Sequence, residues 1–147
     1  MPRIRDVMLL SSLFTDLGKD SNDIIAHRLS LTFFQREKVQ EVSEGVLLLP
    51  VRMQFNLFQG LDDQPFQLMC SYRIVYEIKD ESEADLLKDH VVLAHVIPYL
   101  REHISGLTVK SRFPVLYIDT INTLAMLEEY NKNRVVESSE APPSPTS

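Results

Sequence analysis

The sequence predicts an α+β protein, with an antiparallel sheet in the first half of the chain and helices in the second half packed on one face of it. Three observations carry this. Leu47, Leu49, Val51, Met53, Phe55 and Leu57 alternate with Leu48, Pro50, Arg52, Gln54 and Asn56, and from Val51 onward only the first set is apolar. That is the pattern of a strand with one covered face. Phe66 to Ile78 repeats it, with Phe66, Leu68, Cys70, Tyr72, Ile74, Tyr76 and Ile78 on one side. Leu93, Ile97, Leu100, Ile104 and Leu107 then recur at spacings of four, three, four and three, one continuous stripe on an α-helix. Strands first and helices last is the α+β order.

The remaining elements come in chain order. Val7 to Phe14 is apolar on both faces, which fits a strand buried on both sides or a short helix; a strand is the expectation. Asp16 to Asp23 has loop composition. A second strand is expected from His27 to Gln35, where Leu29, Leu31 and Phe33 alternate with Arg28, Ser30 and Thr32. Arg36 to Gly45 is charged and reads as a turn or loop. Pro50 lacks an N–H donor and points to an edge position or a bulge early in the third strand. Gln59 to Pro65 makes the turn into the return strand.

After the sheet, Ser82 with Asp85 three residues on resembles a capping box and opens a helical segment. The striped helix comes next. Pro98 lies inside it, so the helix restarts or kinks there. Phe113-Pro114 stops it, because a residue before proline is pushed out of the helical region. A last helix carries Ile121, Leu124, Met126 and Leu127, with Thr120 or Asn122 as cap. Residues 1–130 therefore form one domain. Residues 131–147 read as a flexible polar C-terminal tail, ending in Ser, Glu and Pro almost alone.

Composition excludes several function classes. A length of 147 residues suits one domain, and 44% apolar residues can build a core. The net charge of −6 argues against a nucleic-acid partner. No run approaches membrane-spanning length, and the charged start at Arg3, Arg5 and Asp6 does not read as a signal peptide. Cys70 is the one cysteine, which fits a reducing compartment; a cytoplasmic protein without membrane insertion is expected.

The search for chemistry returns little. His95 and His103 lie eight apart on one helix with Glu102 nearby, but no metal-binding spacing accompanies them. No metal and no cofactor are expected. Cys70 sits mid-strand among apolar neighbours, where a cysteine behaves as a small hydrophobe. There is no nucleophile elbow and no phosphate-binding loop, so an enzyme is not expected. What remains is apolar surface beyond the needs of one sheet-on-helix core. Such a surplus points to self-association or to an apolar partner.

Pro98-Tyr99-Leu100-Arg101-Glu102 followed by Phe113-Pro114 resembles the F-P-Y-A-R-E … F-P helix of SecB, the bacterial protein-export chaperone family. Phe66 to Cys70 and Ile74 to Ile78 sit where that family has its long strand, and Thr120 to Tyr130 where it has its last helix. Ile4 to Leu10 resembles the SecB-like chaperones that accompany toxin–antitoxin pairs. Together these cover most of residues 1–130.

The resemblance implies a four-stranded antiparallel sheet with helices on one face, assembled as a dimer of dimers. It implies an ATP-independent holdase that binds unfolded client polypeptides or precursor proteins in apolar grooves. Phe66, Leu68, Cys70, Tyr72 and Tyr99 are then the candidate groove residues. Leu93, Ile97, Leu100, Ile104 and Leu107 are candidates for contacts between subunits of a homotetramer. Met69 stands where the family strand carries an acid implicated in docking on the motor SecA, which leaves that partner in question. The alternative is a dedicated chaperone of one partner, such as an antitoxin.

Overall fold

The computed structural model describes residues 2–18, 29–57, 64–113, 115–118 and 121–140, with side chains described as far as residue 134. The elements are β1 (Arg3–Asp16), β2 (Leu29–Arg36), β3 (Gln40–Ser43), β4 (Val46–Leu57), β5 (Phe66–Ile78), α1 (Glu81–Leu86), α2 (Asp89–Val109) and α3 (Thr123–Glu140). The sheet is antiparallel in the order β1-β5-β4-β2, with β3 also paired to β4.

Five strands replace the four expected. The difference lies in the charged stretch after Arg36, read as a loop. Part of it is β3, which turns back onto β4 at Glu44 and Gly45, the glycine holding the positive φ of 76° that the turn requires. All four β3 residues are exposed, so no apolar alternation marked them. β3 pairs Leu47 and Leu48 of β4, while β2 pairs Val51 to Leu57. The two short strands thus share one lane, and the sheet is still four lanes wide.

One face of the sheet is the core face. Register places Leu57, Phe55, Met53, Val51 and Leu49 of β4 opposite Leu68, Cys70, Tyr72, Ile74 and Tyr76 of β5. All ten are buried. On the other face lie Arg52, Gln54 and Asn56, with Ser71, Arg73 and Glu77. Full burial of one such Leu, Ile or Phe contributes about 1.5–3 kcal/mol, so this two-strand face dominates the stability.

Helix α2 covers that face. Val92, Leu93, Val96, Ile97, Leu100 and Ile104 are buried in the same cluster as the strand residues. The stripe expected to join subunits is therefore used up inside the chain, on its own sheet, with Leu107 half-buried at its end. Periodicity shows that a helix has an apolar side but not which surface covers it. Pro98 neither breaks nor restarts the helix. Pro98 and Ala94 are both exposed, so the carbonyl freed four residues back lies on the watered side.

The helix ends before Phe113-Pro114, at a cap on Lys110. Buried Thr108 fixes the path of the chain beyond that cap. Its hydroxyl donates to the Ile104 carbonyl (2.9 Å) and accepts from the Leu116 N–H (2.9 Å). Phe113 thereby returns to the core, its ring 5.0 Å from that of Phe66.

The other helix ends obey local chemistry. Asp80, rather than Ser82, caps α1 by accepting from the Glu83 N–H, and Glu83 reaches back to the Lys79 N–H. Arg36 at the end of β2 donates to the Ala84 and Leu87 carbonyls and to Asp89, closing the α1–α2 junction. Asn122 caps α3 through the Ala125 N–H. That helix continues to Glu140, so residues 131–140 of the expected tail are helical. His27 and most of the two expected loops, 16–23 and 59–65, lie outside the described residues.

Candidate functional site

The five groove residues expected from the sequence separate into two groups. Phe66, Leu68 and Cys70 are wholly buried. Phe66 is held between Phe14, at 4.8 Å, and Phe113. These three are core and are not open to a partner. Alternation identified their face correctly but could not show how far α2 and Phe113 extend over it. Tyr72 and Tyr99 do meet at a groove. Tyr72 is 3% exposed and Tyr99 is 48% exposed. The Tyr72 hydroxyl donates to the Tyr99 carbonyl at 3.4 Å, a long contact that places the strand ring beneath the helix.

The groove runs between the edge strand β1 and helix α2, with a volume of about 400 Å³. Val7 and Leu9 line one wall. Both point to the core face, because register sets Val7 opposite Ile74 and Leu9 opposite Tyr72. Tyr99, Glu102, His103, Gly106, Leu107 and Lys110 line the other wall, and Tyr72 forms the floor. Leu9 remains 44% exposed, although it faces the covered side of the sheet. The helix does not reach over β1, and the groove is the gap it leaves.

Gly106 widens that gap. It sits inside a helix at negative φ, where glycine is less favourable than alanine by about 0.8–1 kcal/mol. A Cβ added there meets nothing within 4 Å. The residue gives up helix stability and leaves open space beside Tyr99 and Leu107. Gly106 lies beside the apolar stripe rather than on it, so apolar periodicity passes over it.

Polar contacts fix the groove's width. Ser12 on β1 and His103 on α2 are hydrogen bonded, Oγ to Nε2, at 2.8 Å. Beyond the helix end, Arg112 binds Asp16 of β1, with Nη2 3.0 Å from Oδ1. Arg112 and the Gly18 N–H hold the Asp16 carboxyl below its ordinary value. Burial, followed by the charge of Lys110, lowers the His103 pKa from 6.5, which favours the neutral ring. Burial pushes the Cys70 thiol up to about 12 against the opposing hydrogen bond from Ser12, which makes it inert as a nucleophile. Burial also raises the Tyr72 phenol.

The two helix histidines serve different strands. His95 Nδ1 lies 2.7 Å from the Tyr76 hydroxyl, while His103 meets Ser12. Among the described residues, no three His, Cys, Asp or Glu side chains gather as a metal ion requires. Among the described residues, no helix is long and apolar enough to cross a membrane.

A second apolar surface lies on the far face of the sheet. Leu10 and Leu13 of β1 and Phe33 of β2 are all exposed, with Ser71 and Gln54 between them. Leu10 falls at a register shift between Leu9 and Ser11, so two adjacent leucines of β1 reach opposite faces beside an irregular ladder.

No protein-family model matches this sequence, and no curated protein does. Among solved structures, the chain is similar to the Mycobacterium tuberculosis SecB-like chaperone in complex with a ChAD peptide from the HigA1 antitoxin. The TM-score is 0.56 and the identity 14%, over 82% of this chain and 91% of that one. At that identity the likeness is one of architecture. The chain has the SecB-like α+β fold that its Pro98–Glu102 and Phe113-Pro114 motifs implied, built on a five-stranded sheet.

Proposed function

We propose that this protein is a molecular chaperone that holds non-native polypeptides without nucleotide. The observation that carries the reading is the open β1 side of a SecB-like fold. There the groove between Leu9 and Tyr99 lies along an edge strand whose outer backbone groups have no partner strand among the described residues. An extended segment laid along β1 can place apolar side chains in the groove, each Å² of buried apolar surface contributing about 25 cal/mol. Such attraction is non-directional and accepts many sequences. Residues Leu10 and Leu13 on the far side of the same strand extend the apolar surface.

The test is light scattering of a chemically denatured client diluted into buffer with the protein. Gly106→Leu is the decisive variant, because its side chain grows into the groove and meets no atom at Cβ. It should abolish protection while circular dichroism stays as in the wild type and melting is unchanged or higher, since leucine favours a helix over glycine. Full protection by a folded Gly106→Leu variant would show that clients bind elsewhere.

A dedicated chaperone of an antitoxin is the second reading. It is favoured by the solved SecB-like neighbour, whose bound peptide comes from an antitoxin. One tight client among many weak ones in a titration series selects it; equal micromolar affinities select the general holdase. Delivery of precursors to the Sec export machinery, a cytoplasmic location and a homotetrameric state complete the proposal. With Leu93, Ile97, Leu100 and Ile104 buried, the exposed leucines of β1 are the surface we propose for self-association. A monomer by sedimentation at micromolar concentration removes that part.

A further inference from the structure

We infer that His103 is a pH-responsive clip on the groove, closing β1 to α2 through Ser12 while neutral and weakening the hold on apolar segments once protonated. The inference rests on the chaperone reading of the same groove.

Among the described residues, Ser12–His103 and Asp16–Arg112 tie β1 to the helix side. The second keeps its charges from neutral pH well into the acid range, since Arg112 stays protonated and Asp16 is held ionised. The groups facing His103 are few. From β5 come Tyr72 and, through Ser12, Cys70, both neutral far into alkali. On its own helix are Tyr99, Glu102 and the Lys110 cation. Of all these, the imidazole is the group whose ordinary titration falls between pH 5 and 8.

With the ring neutral, the Ser12 hydroxyl donates to Nε2. Protonation reverses that bond. Nε2–H now donates to Ser12, the hydroxyl proton must turn away, and a second cation stands near Lys110 on an apolar wall. A bound apolar segment would strip water from that cation, so binding and protonation oppose each other. The coupling is reciprocal: acid weakens the segment's binding, and the segment lowers the His103 titration midpoint by the same factor. One further unit in the midpoint corresponds to about tenfold in affinity.

The experiment is an NMR titration of the histidine rings in the full chain, free and saturated with reduced, carboxymethylated α-lactalbumin. His103→Gln assigns the resonance by its loss. The free midpoint should lie below 6.5, rise in Lys110→Gln, and fall by about one unit when the polypeptide binds. Anisotropy of the labelled polypeptide should show affinity about tenfold lower at pH 5 than at pH 7.5, and His103→Gln should flatten that slope, whereas His95→Gln should keep it. An unchanged midpoint on binding overturns the clip, and the wild-type spectrum decides this even where a variant fails to fold. Absence of binding at every pH overturns the chaperone reading and the clip with it. Binding with no shift overturns the clip alone.

Discussion

The sheet has two edges, and the chain treats them differently. β2 is eight residues long and carries a register shift between Leu31 and Phe33. Its Thr32 hydroxyl donates to the Gln54 carbonyl, and its Phe34 N–H is taken by the hydroxyl of Tyr130 on α3. A helix thus leans on this edge and occupies part of its backbone. β1 is fourteen residues long, mostly exposed, and bears Ile4, Leu9, Leu10 and Leu13 in the open. Long apolar edges invite pairing with other chains, and soluble proteins usually blunt them. This chain blunts one and leaves the other open. The two edges thus differ in cover: α3 closes part of the β2 side, and the β1 side is the open one, where we propose that a partner binds.

That comparison can be broken in several ways. The largest effect belongs to the cover both edges share. Leu100→Asp puts an unpaired charge into the core under α2 and should cost more than about 3 kcal/mol, unfolding the chain. Chemical denaturation checks it. A folded, merely dissociated variant would return the α2 stripe to the role of subunit interface.

Tyr130→Ala on the closed edge should cost about 2 kcal/mol, since it removes a packed ring and leaves the Phe34 N–H without its acceptor. Tyr130→Phe should cost about 1 kcal/mol. An unchanged denaturation midpoint in both would mean that α3 does not guard β2. On the open edge the expectation reverses. Leu13→Lys should shift stability by no more than about 0.5 kcal/mol while reducing client protection. A large loss of stability there would make β1 an ordinary structural strand.

Acid should sharpen the contrast. His103 titrates below its unfolded value of 6.5, so the stability it contributes is complete above that pH and is lost as pH falls through the folded value. The Asp16 carboxyl, held low by Arg112, adds a second loss only as pH drops below the ordinary range for aspartate. Both groups anchor β1. Hydrogen exchange should therefore show β1 amides loosening as pH falls below 6.5, before those of β2. Simultaneous loosening of both edges would count against the assignment. The smallest effect is deletion of residues 141–147, whose Ser and Pro content offers no core; stability should stay within about 0.5 kcal/mol.

Much of the fold was legible because its central strands obey a period of two with one apolar face. β4 and β5 emerge within a residue of their expected bounds, and the α2 stripe emerges as a helix. β3 was illegible because a short, wholly exposed edge strand has no face to encode. The groove was half legible. Tyr72 and Tyr99 stood out as aromatics on the correct elements, but Phe66, Leu68 and Cys70 share a face with Tyr72 and differ from it only in what covers them. Coverage depends on where α2 stops short of β1, a distance set by Ser12, His103 and Gly106. None of those three is apolar, so no hydrophobic pattern could report them.

The pairing of β1 with β5 has a consequence for how the chain is made. Arg3 meets Glu77 and Asp16 meets Phe66, so every contact of this ladder joins residues at least fifty positions apart. A strand with exposed leucines leaves the ribosome before β5 and waits for that neighbour to emerge. High contact order slows folding and lengthens the interval in which unpaired strands are exposed. During that interval the nascent chain presents the same kind of extended apolar segment that the finished molecule is proposed to hold. Refolding yield should therefore fall as protein concentration rises, and the addition of already folded copies should restore it.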